Sequence, residues 1–434
     1  MITVVFLVLT LSIILGLALY SSYYIVSPQI LFTGGFLLQA FFCVFYVDQW
    51  AIDLNFKTLV TVAGGCVLFS VIECTFCNKK THGIKIKRRD KKIEAHRRIL
   101  LVFLVIQIIA TIGYIKFMND NMTGASIAEK IYAYRQATAD YGKIIPIPKY
   151  LSLCRLFSSA AGYVISYIYI CNMCVYKKLH QACSGLMLTV VIMSCVLEGI
   201  LGARGGILNF IIAIVIEYAL VEGKMHSNKL RLVKKMILCS VIVMALMPVF
   251  GKIMGRPIIE NVFYEMAVYV GAPLKNLDIF LAENANLNKI HYSTFSSALA
   301  DLTKILSLKL DLTSYIFPGH WNFINGYNLG NVYTTFANYW YDFGIVGFFF
   351  YTVVEAMIIG RLFSYAIDNR KLIGTKEHLM STVLYAYFAT TILFSFFGNR
   401  FYEQFFSLYT IKFIVMLMIV CIVMEYKISD FIRK

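Results

Sequence analysis

The sequence predicts an all-α membrane protein, a polytopic helical bundle of about eleven transmembrane helices. Hydrophobic residues make up 59% of the 434 residues, charged residues make up only 15%, and the mean hydropathy is +0.71. The apolar residues form blocks of about 18 to 25, the length that a helix needs to cross a bilayer. Short alternating segments typical of a barrel are not seen, so a helical bundle is the architecture that satisfies the backbone in lipid.

The predicted spans carry few charges, and the basic residues crowd into the short links between them. In chain order the spans are Ile2–Tyr20, Ile30–Val47, Leu59–Cys77, Ile99–Lys116, Leu151–Val175, Cys183–Gly202, Gly206–Val221, Met236–Gly251, Phe343–Ala366, Leu379–Phe397 and Phe405–Met424. The strongly basic link Asn78–Arg98 is assigned to the cytoplasm by the positive-inside rule. Counting from it puts the N-terminus outside and the C-terminus inside. Membrane orientation thus explains the net charge of +16 without a nucleic-acid partner.

This topology describes a single polytopic domain over residues 1–434 with two larger outer loops, 117–150 and 255–342. The longer loop is rich in tyrosine and tryptophan, and Leu274, Leu277 and Leu281 have the spacing of an amphipathic helix. A loop of this length in a compact protein is usually functional. We therefore expect the functional site on the outer side.

No sequence motif indicates a cofactor. There is no GxxxxGK[ST] phosphate loop, no dinucleotide-binding GxGxxG motif and no HExxH-type cluster of metal ligands. The inner loops are short and basic, with little room for a nucleotide sugar. An enzyme of this design would take an activated substrate from the membrane and would need no metal.

Several ionisable residues from different spans project to the outer third of the membrane or just above it, where a buried charge is costly. They are Arg155, Glu198, Arg204, Lys252, Arg256, Arg400, Glu403 and Lys412. One interpretation is a basic pocket for the pyrophosphate of a polyprenyl carrier, because guanidinium groups suit phosphate oxygens. The alternative is snorkelling to lipid headgroups together with ion pairs such as Glu198 with Arg204.

Aromatic and hydroxyl side chains interleave where the longer loop meets the next span, from Asn331 to Gly347. Asp342 stands at the start of that span and could cap its first turn. It could also orient a sugar hydroxyl or act as a general base. Glu355, about halfway along the span, is expected to pair with a neighbouring helix.

The run Gly330-Asn-Val-Tyr-Thr-Thr-Phe-Ala-Asn-Tyr-Trp-Tyr-Asp-Phe-Gly-Ile-Val-Gly347 resembles the signature of oligosaccharide repeat-unit polymerases, the Wzy-type O-antigen polymerases. The Arg204-Gly-Gly corner and the Tyr269–Phe280 stretch after Arg256 are similar to the layout of the same family. The resemblance implies a GT-C-like fold in the bacterial cytoplasmic (inner) membrane. It also implies a metal-independent glycosyltransferase that polymerises undecaprenyl-pyrophosphate-linked repeat units at the periplasmic or outer face.

In this family reading the lipid-linked glycan is both donor and acceptor, and a flippase and a chain-length regulator are expected partners. Arg204, Arg256 and Arg400 would neutralise the leaving pyrophosphate, and Asp342 or His320 would position or deprotonate the acceptor hydroxyl. The expected substrate-binding set is Arg155, Arg256, Arg400, Glu198, Lys252, Trp321, Tyr339 and Trp340, with the aromatic rings stacked on sugar faces. An O-antigen ligase, a lipid-linked oligosaccharide flippase or transporter, and a non-enzymatic scaffold remain alternatives.

Overall fold

A computed structural model describes most of the chain. The described residues are 1–76, 95–140, 145–175, 183–202, 204–225, 229–239, 251, 261–283, 291–307, 317–368 and 370–430. Within these ranges the protein is mainly helical, with one short β-hairpin.

The helices, numbered in chain order, are α1 Ile2–Ser21, α2 Pro28–Val44, α3 Phe56–Phe76, α4 Arg97–Asn121, α5 Ile127–Arg135, α6 Lys149–Cys174, α7 Ser184–Gly199, α8 Arg204–Met225, α9 Val262–Val270, α10 Ala272–Glu283, α11 Ser296–Leu306, α12 Thr335–Ile367, α13 Lys376–Leu393, α14 Arg400–Phe405 and α15 Leu408–Asp430. Residues 229–239 are also helical. Short π or 3-10 turns occupy Gln136–Asp140, Ser293–Phe295 and Phe394–Phe396. Strands β1 Asn322–Ile324 and β2 Tyr327–Gly330 pair antiparallel.

Seven helices are long and apolar enough to cross a membrane, which confirms an all-α, multi-pass membrane protein. They are Ile2–Ser21, Phe56–Phe76, Arg97–Asn121, Lys149–Cys174, Gly205–Met225, Thr335–Ile367 and Lys376–Phe396. Three shorter apolar helices, Pro28–Val44, Ser184–Gly199 and Leu408–Met424, coincide with further predicted spans. The predicted span Met236–Gly251 lies mostly outside the described residues. The number of eleven spans stays a prediction.

The chain forms two compact units, each assembled from separate stretches of sequence. Unit 1 consists of Met1–His82, Glu260–Tyr365 and Phe388–Thr410. Unit 2 consists of Gly83–Ile259, Ala366–Tyr387 and Ile411–Lys434. The single polytopic domain over residues 1–434 stays a prediction.

In unit 1, helix α12 is two helical segments joined by a sharp bend. Phe343 and Gly344 are non-helical, and Gly344 has φ 59° and ψ −138°, a conformation that suits glycine. In a straight helix Tyr339 and Glu355 would be about 24 Å apart along the axis. The Tyr339 hydroxyl nevertheless donates a hydrogen bond of 2.8 Å to Glu355. The segment Thr335–Asp342 therefore folds back against the span that follows it.

This folded-back segment is packed among the helices of unit 1. The ring of Phe336 is buried against Phe32 and Phe36 of α2, with centroid distances of 6.0 and 5.0 Å. At Gly347 an added Cβ would lie 2.3 Å from the carbonyl oxygen of Tyr339, so only glycine permits this approach. Residues that the sequence analysis assigned to the end of the outer loop thus belong to the helical core.

Two aspartates fix helices of the longer loop to the ends of other helices in unit 1. Asp278 of α10 accepts from the Asn55 N–H at 2.8 Å and the Thr58 hydroxyl at 2.7 Å, at the start of α3. Asp301 of α11 accepts from the Leu408 N–H at 2.7 Å, at the start of α15. Each carboxylate satisfies backbone donors that the helix itself leaves unpaired.

The burial of the leucines of α10 confirms the predicted amphipathic helix. Leu274, Leu277 and Leu281 are all buried, as their spacing predicted. The loop is therefore held by the burial of these leucines and by the hydrogen bonds that Asp278 accepts from Asn55 and Thr58.

Unit 2 is built around close contacts of α4, α6, α7 and α8. The amide of Gln107 on α4 donates to the hydroxyls of Ser158 and Ser194 at 3.0 and 2.9 Å. At Gly206 an added Cβ would lie 2.8 Å from the Glu198 carbonyl oxygen. The close helix approach expected at the Arg204-Gly-Gly corner is therefore present.

Candidate functional site

Asp342 is the centre of a buried hydrogen-bond network in unit 1. Its Oδ1 accepts from the Ser293 N–H at 2.8 Å and the Ser293 hydroxyl at 2.7 Å, and its Oδ2 accepts from the Thr294 N–H at 2.9 Å. The side chain is fully buried. Asp342 thus caps the turn that leads into α11, a different element from the span whose first turn it was expected to cap. Its contacts tie the longer loop to the bend of α12.

The hydrogen-bond network extends from Asp342 to the start of α14. The Asn399 amide donates to the Thr294 carbonyl oxygen at 2.9 Å, and Asn399 immediately precedes Arg400. Thr294 therefore links the Asp342 carboxylate to the turn that carries Arg400. Sequence reasoning missed Asn399, because a single asparagine at a helix start has no distinguishing pattern.

Arg400 presents a partly exposed guanidinium group at the surface of unit 1. Its side chain is 48% exposed, lies over the Phe397 ring at 5.4 Å and approaches Glu403 at 3.5 Å. An exposed ion pair of this length contributes little to stability. The guanidinium therefore keeps donors for an external anion.

His320 and Trp321 are exposed at the base of the β-hairpin, next to Tyr333. The Tyr333 hydroxyl donates to the His320 carbonyl oxygen at 3.2 Å, while the Asn322 amide donates to that hydroxyl at 3.0 Å. Burial raises the pKa of Tyr333, so its hydroxyl remains a donor. The Tyr333 carbonyl oxygen lies 3.7 Å from the Cβ position of Gly398, beside Arg400. One tyrosine thus spans the distance between the His320 backbone and the Arg400 turn.

The three aromatic residues predicted to stack on sugars occupy different environments. Trp321 is 60% exposed and offers an open ring face. Trp340 has the Lys57 ammonium 4.5 Å from its centroid and Phe348 stacked at 6.1 Å. Tyr339 is fully buried against Tyr351 and Tyr402, which does not fit direct contact with a sugar. Trp321 is therefore the ring best placed for sugar binding.

Arg155 and Glu198 lie in unit 2, on α6 and α7, and their charges interact. The Arg155 charge also acts on Tyr114 and on Tyr134, whose pKa is raised chiefly by burial. Arg155 is therefore an electrostatic neighbour of Glu198, a contact that the sequence analysis had considered for Arg204.

Lys412 on α15 is exposed, and three other predicted cations have side chains outside the described residues. Lys252 and Arg256 lie outside the described residues, and Arg204 begins α8 with a side chain that is also outside them. The predicted convergence of cations from several helices into one basic pocket stays a prediction. In unit 1, Tyr333 contacts the His320 backbone through its hydroxyl and Gly398, two residues before Arg400, through its carbonyl oxygen.

Comparison of the chain with protein-family models, with curated proteins and with solved structures gives no match.

Proposed function

We propose that this protein is a membrane glycosyltransferase that polymerises undecaprenyl-pyrophosphate-linked oligosaccharide repeat units on the outer face of the bacterial cytoplasmic membrane. The observation that carries the proposal is that Tyr333 contacts both the His320 backbone and Gly398, two residues before Arg400, and that the side chains of Arg400, His320 and Trp321 are exposed in unit 1. These groups supply an anion ligand, a proton acceptor and an apolar face for a sugar. The signature-like run from Gly330 to Gly347 forms the bend that supports them.

The chemistry proposed for this site is transfer of the growing glycan to the free end of a new repeat unit. The acceptor hydroxyl oxygen attacks the anomeric carbon of the donor glycan, and the bond from that carbon to the carrier pyrophosphate breaks. His320 takes the hydroxyl proton, Arg400 stabilises the charge on the leaving pyrophosphate, and Trp321 orients a sugar. Asp342 acts as a positioning residue through Thr294 and Asn399.

Arg400→Ala is expected to lower polymerisation about 100-fold, because one preformed electrostatic contact to a developing charge contributes on that order. The measurement is the length of lipid-linked product made by purified protein from a polyprenyl-pyrophosphate repeat unit, without nucleotide sugar. Arg370→Ala is the matched control, since Arg370 is an exposed arginine paired with Asp368 in unit 2. Equal activity of the two variants would remove Arg400 from the site.

The same assay separates the proposed reaction from its alternatives. Products longer than one repeat unit support a polymerase, whereas transfer only to a different lipid indicates a ligase. Movement of intact substrate across vesicle membranes without any new glycosidic bond indicates a flippase or transporter. The transporter is the second candidate, because unit 2 buries Glu217, Lys224 and His378 within its apolar helices.

The outer position of the site is tested by cysteine labelling in intact cells. His320→Cys is expected to react with a membrane-impermeant maleimide, because His320 is exposed on the loop assigned to the outside. Lys85→Cys, in the basic link, is expected to react only after the membrane is opened. Both signals are measured above the labelling of the unmodified chain, which has its own free cysteines. Labelling of Lys85→Cys but not of His320→Cys in intact cells would show that the topology is the reverse of the predicted one.

A further inference from the structure

Helix α8 carries a carboxyl group that is completely shielded from solvent inside unit 2. Glu217 is 0% exposed and lies within the membrane-spanning stretch Gly205–Met225. Its Oε2 is 2.7 Å from the hydroxyl oxygen of Ser166 on α6. The same hydroxyl oxygen is 2.9 Å from the Tyr163 carbonyl oxygen, one turn earlier on α6.

The Ser166 hydroxyl has one proton and two close oxygen neighbours, so it donates either to the Glu217 carboxyl group or to the Tyr163 carbonyl. A hydroxyl has one proton to donate and two lone pairs that accept, whereas a carbonyl oxygen only accepts. When Ser166 donates to the Tyr163 carbonyl, as hydroxyls in helices commonly do, it can only accept from Glu217. Both contacts are therefore hydrogen bonds when Glu217 is a neutral acid that donates from Oε2.

The surroundings of Glu217 favour the same neutral form. Its Oε1 has no hydrogen-bond partner among the described residues. None of the ion pairs found in the described ranges involves Glu217. A carboxylate without a cation in the membrane interior is costly, so the group retains its proton.

A series of titratable side chains leads from Glu217 toward the link between α12 and α13. Tyr167, adjacent to Ser166, interacts electrostatically with Glu217 and with Cys171. The Tyr167 hydroxyl accepts from the Gly374 N–H at 3.2 Å, which leaves its proton for Nδ1 of His378 at 2.5 Å. The buried Nε2 of His378 has no partner in the part of the chain that the structure describes.

Lys224 completes the set of titratable groups at this end of unit 2. It lies about two turns beyond Glu217 on α8. It is buried, and its ammonium donates to the Asp368 carbonyl oxygen at 3.4 Å. His378 is buried as well. Glu217, Tyr167, His378 and Lys224 are therefore four buried titratable groups in unit 2.

We propose that Glu217 is a proton-binding site in the membrane-spanning part of unit 2, connected by Tyr167 and His378 to the link at Asp368–Gly374. On release, the proton leaves Oε2 and, by way of the Tyr167 hydroxyl, protonates the His378 imidazole, while the Ser166 hydroxyl proton turns from the Tyr163 carbonyl to the carboxylate. The Ser166–Tyr163 side-chain hydrogen bond is then lost, and the backbone hydrogen bonds of α6 remain. The site requires no glycosyl transfer and is independent of the proposed polymerase activity.

Infrared spectroscopy of the full-length protein in lipid nanodiscs tests this site directly. The wild type is expected to show a carboxylic-acid C=O band at neutral pH that Glu217→Gln removes. Glu355→Gln is the matched control, because Glu355 is equally buried in a span of unit 1 but accepts from Tyr339 and Ser395. It should leave the Glu217 band in place. Ser166→Ala should retain that band but shift its frequency, since it removes the hydrogen-bond partner.

The connection is tested by transferring the protein into heavy water. The Glu217 band is expected to shift on deuteration, and Tyr167→Phe is expected to slow that shift at least tenfold. A spectrum unchanged by Glu217→Gln would overturn the proton site, and so would failure of that neutral variant to fold. Unchanged deuteration in Tyr167→Phe would overturn the connection through Tyr167 and His378.

Discussion

Gly347→Ala is expected to unfold unit 1 or prevent its assembly. The new Cβ would lie 2.3 Å from the Tyr339 carbonyl oxygen, a backbone atom that cannot move without shifting the whole segment before the bend. That shift breaks the Tyr339–Glu355 hydrogen bond and separates the rings of Phe336 and Phe348. We expect the free energy of unfolding to fall by about 3 kcal/mol or more. Thermal unfolding of the purified protein in detergent measures the loss.

Gly34→Ala is the matched control for this substitution. Gly34 lies in α2 of the same unit, and no heavy atom lies within 4 Å of its added Cβ. Alanine is favoured over glycine in a helix interior by about 1 kcal/mol, so this variant should be at least as stable as the wild type. Equal melting temperatures for the two variants would show that α12 does not fold back at Gly344.

Asp342→Ala is expected to cause the second large effect, a loss of about 3 to 5 kcal/mol in the free energy of unfolding. The change leaves the backbone N–H groups of Ser293 and Thr294 buried without their acceptor. It also frees Thr294, whose carbonyl holds Asn399 beside Arg400. Urea or thermal unfolding gives the stability change, and the polymerisation assay should show activity close to that of Arg400→Ala.

Asp342→Asn separates a positioning role from a general base. The amide keeps the shape and one acceptor oxygen but turns a donor toward one N–H group, so we expect an intermediate loss of about 1 to 2 kcal/mol. A positioning residue leaves the pH profile of the remaining activity unchanged. If Asp342 were the base, Asp342→Asn would remove the rise of activity with pH, and His320→Ala would preserve it.

The spans and the loop helix α10 could be predicted because their signals are local. Long apolar blocks identify helices in lipid whatever they pack against, and the spacing of Leu274, Leu277 and Leu281 already marks a buried face. The side chains of His320 and Trp321 are exposed in the structure, and their position on the outer side of the membrane stays a prediction.

The bend of α12 could not be predicted, since it depends on contacts between residues far apart in sequence. From the sequence alone, Tyr339 and Phe336 are assigned to the loop. Their burial becomes evident only from their contacts with Glu355 and with Phe36 of α2. Glu217 was overlooked for a related reason, because one carboxyl group hardly changes the mean hydropathy of its span. The protonated state of Glu217 is inferred from the two oxygen neighbours of the Ser166 hydroxyl, and these contacts cannot be predicted from a sequence pattern.

Asp278 and Asp301, which anchor the longer loop, are synthesised at different times relative to the helices that they contact. The ribosome makes Asp301 before Leu408, so α15 emerges when its partner carboxylate already exists. Helix α3 is completed long before Asp278. The Asn55 N–H at its start gains the Asp278 acceptor only after a further stretch longer than half of the chain has been translated. Truncation before Asp278 therefore leaves the Asn55 N–H at the start of α3 without this acceptor, whereas α15 can dock as soon as it is released.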